Sequence, residues 1–183
     1  MSIKGISGND ISVIMENDKS GALKEVLHEK DYYREDKGDR SAEKEYWEDS
    51  IKQMCINKFT VRTGKKTRRE SRVIRDKEYD FMIGNADRKV SGENSILICR
   101  NYNRNNIEQM AGKINRDALL YLSCQHNLRV YNSEKCYLIL FINYEKMIIR
   151  EIDRNEVIIN MLISIEKHFW NHYKNNYIKA EEK

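Results

Sequence analysis

Proline is absent from this 183-residue chain, and glycine occurs only eight times. Flexible linkers between domains are usually rich in these residues, so the sequence favours a single domain. No apolar run approaches the roughly 18 residues that span a bilayer, and the N-terminus lacks the pattern of a signal peptide. We therefore expect no membrane association and a cytoplasmic location.

Cysteine is scarce and widely dispersed along the chain. Cys55, Cys99, Cys124 and Cys136 lack the short Cys-x-x-Cys spacing that zinc sites use. Thiols placed in this way in a cytosolic protein are normally reduced, and many are buried. The pattern predicts four structural cysteines and no zinc site.

Charge is plentiful and unevenly distributed. Charged residues make up 34% of the chain and hydrophobic residues 40%, which indicates a folded protein with a heavily charged surface. The net charge of +4 is too small to predict nucleic-acid binding by itself. One stretch nevertheless sets eight basic residues against a single acid, Glu70: Lys58, Arg62, Lys65, Lys66, Arg68, Arg69, Arg72 and Arg75. This basic segment is a candidate surface for DNA or a partner; a solvated turn and charged edge strand is the alternative.

Apolar spacing and capping residues predict four helices, over residues 20–28, 41–59, 107–124 and from Asp153 or Asn155 to Tyr173. Tyr46 and Trp47 follow the helical spacing of the second helix. We expect these two rings to pack against the core; base stacking or anchoring of a partner is the alternative.

Alternating or continuous apolar runs predict five strands, over residues 68–74, 79–83, 95–101, 136–143 and 147–152. The polar stretch 31–40 is expected to be a loop. The order of these elements predicts an α/β domain with a central mixed β-sheet flanked by α-helices. We assign this domain to residues 1–177 and a polar tail to 178–183.

Short motifs with a particular order and spacing run along most of the chain. They lie at Gly5–Ser12, Tyr46-Trp47, Thr63-Gly64, Tyr79–Arg88, Ser95–Arg100, Tyr121-Leu122, 148–154 and 166–170. Together they resemble the YqaJ-type viral recombinases, phage exonucleases related to lambda exonuclease within the PD-(D/E)XK nuclease superfamily. The resemblance implies a single nuclease-like domain that acts on DNA duplex ends in a bacterial host. It also allows a homo-oligomer, since relatives can encircle DNA as trimers.

Such nucleases need carboxylates to hold Mg²⁺ or Mn²⁺ and a lysine to orient the attacking water. By resemblance, the helix Glu of the family falls on Lys52, its Asp on Asp87, its strand Glu on Ile98 and its Lys on Arg100. A supporting helix Gln falls on or near Asp117. Of these positions, only Asp87 keeps a side chain that could bind the metal ion. We therefore expect catalysis to be lost and no cofactor to be needed. Mg²⁺ or Mn²⁺ would matter only for residual cleavage. Lys52 or Arg100 is expected to occupy the vacated metal position and pair with Asp87.

Other polar residues offer alternative chemistry. A migrated carboxylate could rebuild the metal site, and the candidates are Glu70, Asp80, Glu93 and Glu108; the alternative for each is a solvated charge. Ser7, Asn9 and Asp10 match a family turn near the phosphate of a DNA end. We expect Ser7 or Asn9 to cap a helix, and a phosphate contact is the alternative. The histidines, His28, His126, His168 and His172, are expected to serve packing or the surface.

The sequence as a whole predicts a phage-type pseudonuclease that acts by binding. Our first hypothesis is an inhibitor of a host defence complex, such as an anti-CRISPR or another counter-defence factor. The second is a DNA-binding accessory protein of recombination that holds duplex ends. The third is an active metal-dependent 5'-3' exonuclease with a rearranged site, which only metal-dependent cleavage requiring Asp87 would establish.

Overall fold

A mixed β-sheet forms the centre of the protein in the computed structural model, which describes residues 5–16, 39–70, 72–102, 116–142 and 146–173. The strands in these ranges are β1 (Ile6–Ser7), β2 (Thr67–Arg68), β3 (Met82–Ile83), β4 (Arg88–Val90), β5 (Ser95–Tyr102), β6 (Lys135–Ile142) and β7 (Lys146–Asp153). The helices are α1 (Ile11–Glu16), α2 (Asp39–Thr63), α3 (Arg116–Val130) and α4 (Glu156–Tyr173).

The main sheet has the order β2-β4-β5-β6-β7. Strands β5 and β6 are parallel, whereas β2–β4, β4–β5 and β6–β7 are antiparallel. Strands β1 and β3 form a separate parallel pair. The predicted α/β class with a central mixed sheet and flanking helices is confirmed.

The central strands β5 and β6 are apolar on both faces because helices cover each face. On one side Leu97 and Cys99 pack with Cys55 and Phe59 of α2. On the other side Ile96, Ile98 and Leu138 pack with Leu120 and Leu128 of α3. A third cluster joins β1, α1, β3 and α4 through residues such as Ile6, Ile11, Met82 and Leu162. Strand β5, which carries two of the family positions, is thus fixed from both sides.

The ends of two helices follow from single residues. Gly64 has a φ of 72°, and its N–H donates to the Thr60 carbonyl at 2.8 Å, which closes α2 in the left-handed conformation that glycine adopts freely. Asn155 begins α4, because its side-chain oxygen accepts from the Ile158 N–H at 3.2 Å. Of the two predicted caps Asp153 and Asn155, the structure therefore selects Asn155.

Several elements were predicted correctly. Helix α2 extends beyond both ends of the predicted 41–59 and begins inside the expected loop 31–40. Strand β5, the hairpin of β6 and β7, and helix α4 match their predictions closely. Helix α3 continues past residue 124 to Val130, since the polar residues there are buried with hydrogen-bond partners.

The strands predicted over 68–74 and 79–83 were wrong in extent. Among the described residues of 67–83, strand pairing is limited to β2, β3 and a bridge between Arg75 and Ile83. The buried Asp76 forms a turn that ends the extended conformation of this segment. Its Oδ1 accepts hydrogen bonds from the N–H groups of Glu78 and Tyr79, each at 2.9 Å. Strand β4 was not predicted.

Some predictions fall outside the described residues: the helix over 20–28, the first part of the helix over 107–124, Glu108, the side chain of Asp117 and the tail 178–183. No helix in the part of the chain that the structure describes is long and apolar enough to cross a bilayer.

Candidate functional site

Asp87, the carboxylate that the resemblance assigns to the site, lies directly before β4 and is fixed by the backbone of β5. Its N–H donates to the Leu97 carbonyl at 3.0 Å, and its Oδ2 accepts from the Cys99 N–H at 2.8 Å. These bonds hold the carboxylate at the strand that carries Ile98 and Arg100.

Two cations approach this carboxylate from different elements. Lys52 Nζ of α2 lies 3.4 Å from Asp87 Oδ1, and Arg100 Nη1 of β5 lies 3.8 Å from Oδ2. The side chains of Lys52, Asp87 and Arg100 are 43%, 13% and 21% exposed. Lys52 or Arg100 was expected to pair with Asp87, and in the structure both residues contact it. We call the three residues the cleft cluster.

Arg100 also connects the cleft cluster to the turn between β1 and α1. Its Nη2 donates to Asn9 Oδ1 at 2.8 Å, and its Nη1 donates to the Cys99 carbonyl at 2.9 Å. Asn9 was considered for a phosphate contact or a helix cap, but not for a contact with Arg100. The link joins residues too far apart in sequence for any local pattern to reveal it.

The turn that carries Asn9 is arranged differently from the cap expected for Ser7 or Asn9. Asp10 precedes α1, and its Oδ2 accepts from the Ser7 N–H at 2.7 Å and from Ser7 Oγ at 2.9 Å. A Cβ added at Gly8 would lie only 2.4 Å from Asn127 Nδ2, so glycine allows the turn to pack closely on α3. The turn is held by Asp10, and Asn9 is left to bind Arg100.

The residues around Asp87 do not match the donor set of a divalent metal site. Ile98 offers no donor atom and is buried in the apolar cluster between β5 and α3. Mg²⁺ requires several oxygen ligands in octahedral geometry, whereas Asp87 already contacts two cations and a backbone N–H. In the described ranges no three His, Cys, Asp or Glu side chains come together as metal ligands. The arrangement places two fixed positive charges beside Asp87.

A cavity of about 620 Å³ opens between α2 and the segment that carries Asp87. Its charged lining residues are Glu45, Asp49, Lys52, Arg69, Glu70, Asp87 and Arg88. Three of these residues were not predicted as site residues, namely Glu45, Asp49 and Arg88. For the two acids a signal was available, because residues 45, 49 and 52 share one face of a helix. We call this cavity the cleft.

The acids that were candidates for a migrated metal ligand differ in whether they line the cleft. Glu70 lines the cleft and pairs with Lys89 at 3.3 Å. The N–H of Arg72 and the ammonium of Lys89 lower the pKa of Glu70 below its usual value. Glu70 is thus already paired with a cation.

Glu93 and Asp80 do not line the cleft. Glu93 lies in the turn between β4 and β5, where it pairs with Lys65 and accepts from Tyr137 Oη at 3.0 Å. Asp80 is exposed just before β3, and its backbone carbonyl accepts from Arg75 Nη1 at 2.6 Å. Of these described acids, only Glu70 comes to the same cavity as Asp87.

The basic segment is divided into separate parts. Lys58 lies over the Phe141 ring at 5.7 Å, and Arg62 Nη1 donates to the Met147 carbonyl at 3.3 Å, so both face the β6–β7 hairpin. Lys65 is paired with Glu93. Exposed cations remain around β2, namely Lys66, Arg68, Arg69 and Arg72. We call these four residues the β2 basic edge; Arg69 connects it to the cleft.

Tyr46 and Trp47 lie on the surface, which corrects the expectation that they pack against the core. Their ring centroids are 5.9 Å apart in an edge-to-face arrangement, and both side chains are exposed. Ile51, Cys55 and Phe59 supply the inward face of α2 instead. Tyr46 also lines the cleft.

A second charged contact is fully buried on α3. His126 Nδ1 lies 2.9 Å from Glu166 Oε1 of α4, and His126 Nε2 lies 3.0 Å from the Ile83 carbonyl. A carbonyl only accepts, so Nε2 carries a proton, and Nδ1 carries a second one when the ring is charged. Burial opposes that charge, but Glu166, the Ile83 carbonyl and Asp10 outweigh it and raise the pKa of His126. His126 is buried as packing would require, whereas His168 is exposed.

The mixed sheet, its helices on both faces and the position of Asp87 beside β5 define a nuclease-type α/β fold. The site on that fold holds an ion-paired carboxylate. The chain belongs to the family of the YqaJ-like viral recombinase domain, whose model matches residues 1–134. The resemblance predicted from the motifs is confirmed.

The chain is also similar to a curated protein of this family and to two solved structures. The chain is 29% identical over 170 residues to an uncharacterized protein YqaJ of Bacillus subtilis, covering 92% of this chain and 53% of that protein. It thus spans about half the length of this curated relative. An alkaline exonuclease from Laribacter hongkongensis has a similar fold, with a TM-score of 0.69, 11% identity and coverage of 99% and 94% of the two chains. A phage-related exonuclease from Haemophilus somnus gives a TM-score of 0.68, 11% identity and coverage of 100% and 98%.

Proposed function

We propose that the protein is a pseudonuclease that binds DNA without cleaving it, as an accessory protein of phage recombination in the bacterial cytoplasm. The observation that carries the proposal is the cleft cluster, in which Lys52 and Arg100 flank Asp87. A lysine beside the carboxylate repels a divalent ion, and the apolar Ile98 supplies no second ligand. Without a metal-bound water at this position, the usual route to phosphodiester hydrolysis is missing.

The β2 basic edge supports a role in gripping the phosphate backbone. Its four cations are exposed beside the cleft, and Arg69 lines both regions. Lys and Arg that contact phosphates release counterions, which gives binding that weakens strongly with salt. The cleft itself carries more acids than bases, so we assign the backbone contact to the β2 basic edge and its margin with the cleft.

Cleavage is tested with end-labelled linear duplex in Mg²⁺ or Mn²⁺, comparing wild type, Asp87→Ala and a metal-free reaction. We expect the DNA to remain intact in every reaction. Cleavage by wild type that is lost both in Asp87→Ala and without metal would overturn the proposal. It would establish the alternative of a working exonuclease with a rearranged site.

Binding is tested by fluorescence anisotropy of a labelled duplex over a series of salt concentrations. The variant Arg68→Gln/Arg69→Gln/Arg72→Gln removes three exposed cations of the β2 basic edge. The matched control Lys135→Gln/Lys146→Gln/Lys167→Gln removes the same charge elsewhere. We expect the first variant alone to lower the slope of log affinity against log salt, by up to about one per lost phosphate contact. If both variants lower this slope equally, the β2 basic edge contributes only its net charge and makes no specific contact with the phosphates.

Counter-defence is the second cellular role that we propose for the same binding activity. A phage protein that grips DNA without cutting it, or that docks on a surveillance complex, can block a defence nuclease such as a CRISPR effector. The replaced catalytic positions favour this role over digestion of DNA. The test adds wild type or the β2 basic-edge variant to a CRISPR nuclease and its target. Inhibition by both proteins indicates a protein target, inhibition by wild type alone indicates shielding of DNA, and inhibition by neither rejects the role for that nuclease.

A further inference from the structure

Arg69 and Lys52 line the cleft from different elements, and their surroundings differ. Arg69 belongs to the β2 basic edge and is exposed. Lys52 extends from α2, and its Nζ lies 3.4 Å from Asp87 Oδ1. Arg88, which also lines the cleft, donates to the Asp87 carbonyl at 2.8 Å and to Gln53 Oε1 at 3.1 Å. A DNA phosphate that passes from the β2 basic edge into the cleft would therefore meet Lys52 while this lysine is paired with a carboxylate.

Asp87 and Arg100 are held in place independently of Lys52. The Asp87 carboxylate is 13% exposed and accepts from the Cys99 N–H at 2.8 Å. Arg100 donates to Asn9 Oδ1 at 2.8 Å and to the Cys99 carbonyl at 2.9 Å. These bonds keep its Nη1 at 3.8 Å from Asp87 Oδ2. Asp87 therefore still has a cation beside it when Lys52 turns away.

Lys52 is the member of the cleft cluster that can change partner most easily. Its side chain is 43% exposed, and its charge lies at the end of a flexible four-carbon chain. An ion pair with this exposure favours the paired state by at most about fivefold. A negatively charged phosphate that enters the cleft can therefore compete with Asp87 for the lysine.

We propose that Lys52 changes partner, from Asp87 in the free protein to a backbone phosphate in the DNA complex, so that Asp87 restrains binding of DNA in the cleft. The inference rests on the DNA-binding function proposed above and adds a regulated contact to it. In the free protein the carboxylate neutralises Lys52 and repels the phosphate. In the complex Arg100 alone balances Asp87, and the phosphate contacts continue from Arg69 to Lys52.

Removal of the Asp87 charge tests the restraint. Asp87→Asn keeps an oxygen that can accept from the Cys99 N–H, and circular dichroism checks that the variant folds. In fluorescence anisotropy with a labelled duplex, we expect about three- to tenfold tighter binding than wild type, as removal of one unit charge near the phosphate predicts. Lys52 then makes an uncompensated phosphate contact, which should steepen the slope of log affinity against log salt by up to about one. The matched control Glu45→Gln removes the same charge from the same cavity, outside the cleft cluster, and should gain less.

Two double variants test whether the gain comes from Lys52. Asp87→Asn/Lys52→Gln should lose the gain, whereas Asp87→Asn/Lys135→Gln has the same net charge and should keep most of it. Equal affinities of the two double variants would overturn the proposal, because net charge alone would then explain the effect. A gain in Glu45→Gln as large as that in Asp87→Asn would overturn it as well.

A measurement on wild type tests the change of partner without any substitution. Lysines are acetylated with an amine-reactive ester in the presence and absence of duplex, and mass spectrometry follows each site. We expect DNA to slow acetylation of Lys52 several-fold and to leave that of Lys135 nearly unchanged. Acetylation of Lys52 at the same rate with bound DNA would overturn the proposal.

The wild-type titration separates this inference from the proposed function. Binding by wild type with no gain in Asp87→Asn would overturn the restraint and leave DNA binding intact. Binding by Asp87→Asn alone would support the restraint and show that it blocks the free protein. Absence of binding by both proteins would overturn the proposed function together with the inference.

Discussion

Two clusters in this protein join a carboxylate to cationic groups across distant parts of the chain, yet they occupy opposite environments. The cleft cluster links α2 to the region of β4 and β5 and is partly exposed. The pair of His126 and Glu166 links α3 to α4 with both side chains fully buried. Water screens the ion pairs of the cleft cluster and is excluded from the pair of His126 and Glu166. The buried pair therefore contributes more to the stability of the fold, and residues of the cleft cluster can be substituted at a lower cost.

The largest effect is expected in the core. Glu166→Ala leaves the His126 ring without its partner, and we expect the free energy of unfolding to fall by about 3–5 kcal/mol. Urea denaturation followed by circular dichroism measures the loss. Glu166→Gln is the matched control: its amide can donate to a neutral Nδ1, so it should lose less. Equal losses in both variants would contradict the assigned hydrogen bond.

A smaller effect is expected from Asp87→Ala in the cleft. The substitution removes the acceptor of the Cys99 N–H and leaves Arg100 without its carboxylate. Because water reaches this region, we expect a loss of about 1–3 kcal/mol. A midpoint of thermal unfolding equal to that of wild type would show that the cleft cluster contributes nothing to stability.

A change of pH should separate the two clusters further. The pKa of His126 is raised in the folded protein, so its stabilising charge is fully present below the ordinary value of 6.5 and is lost as pH rises through the folded value. The free energy of unfolding should therefore fall as pH increases above 6.5. Because a single proton is involved, the free energy of unfolding can change by at most about 1.4 kcal/mol per pH unit. Glu166→Gln should flatten this dependence, and an unchanged profile would exclude His126 as its source.

The smallest effect is expected from Lys52→Ala. Lys52 is the most exposed member of the cleft cluster, and contacts of this kind contribute about 0–1 kcal/mol. Denaturation should thus barely distinguish this variant from wild type. A loss as large as that of Glu166→Ala would erase the contrast between cleft and core.

The parts of the fold that the sequence predicted best are those whose apolar pattern has one interpretation. Strands β5, β6 and β7 and helix α4 show such patterns and lie close to their expected positions. Helix α2 was found, but its orientation was wrong for Tyr46 and Trp47, because apolar residues occur on two of its sides. The prediction of a strand over residues 68–74 was wrong because Asp76 forms a turn and the cations before it are exposed to solvent.

The site was predictable where the family motif supplied the positions and not where tertiary contacts did. The ion pairs of Asp87 followed from charges at motif positions. The bond between Asn9 and Arg100 joins the turn before α1 to strand β5, and no spacing rule connects these two positions. Glu45 and Asp49 reach the cleft through the placement of a whole helix. The basic segment was recognisable as charge, but only the fold separated the β2 basic edge from Lys58 and Arg62.

Three consecutive residues of α3 each secure a different part of the protein. Gln125 bonds the Asp153 carbonyl and the Asn155 N–H, His126 contacts Ile83, and Asn127 exchanges hydrogen bonds with Asn85. None of these three residues belongs to the cleft cluster. Substitutions in the cleft cluster leave all three of these anchoring contacts in place. The buried polar run on α3 thus makes the domain evolvable, because the residues of the cleft can change while these contacts hold the fold.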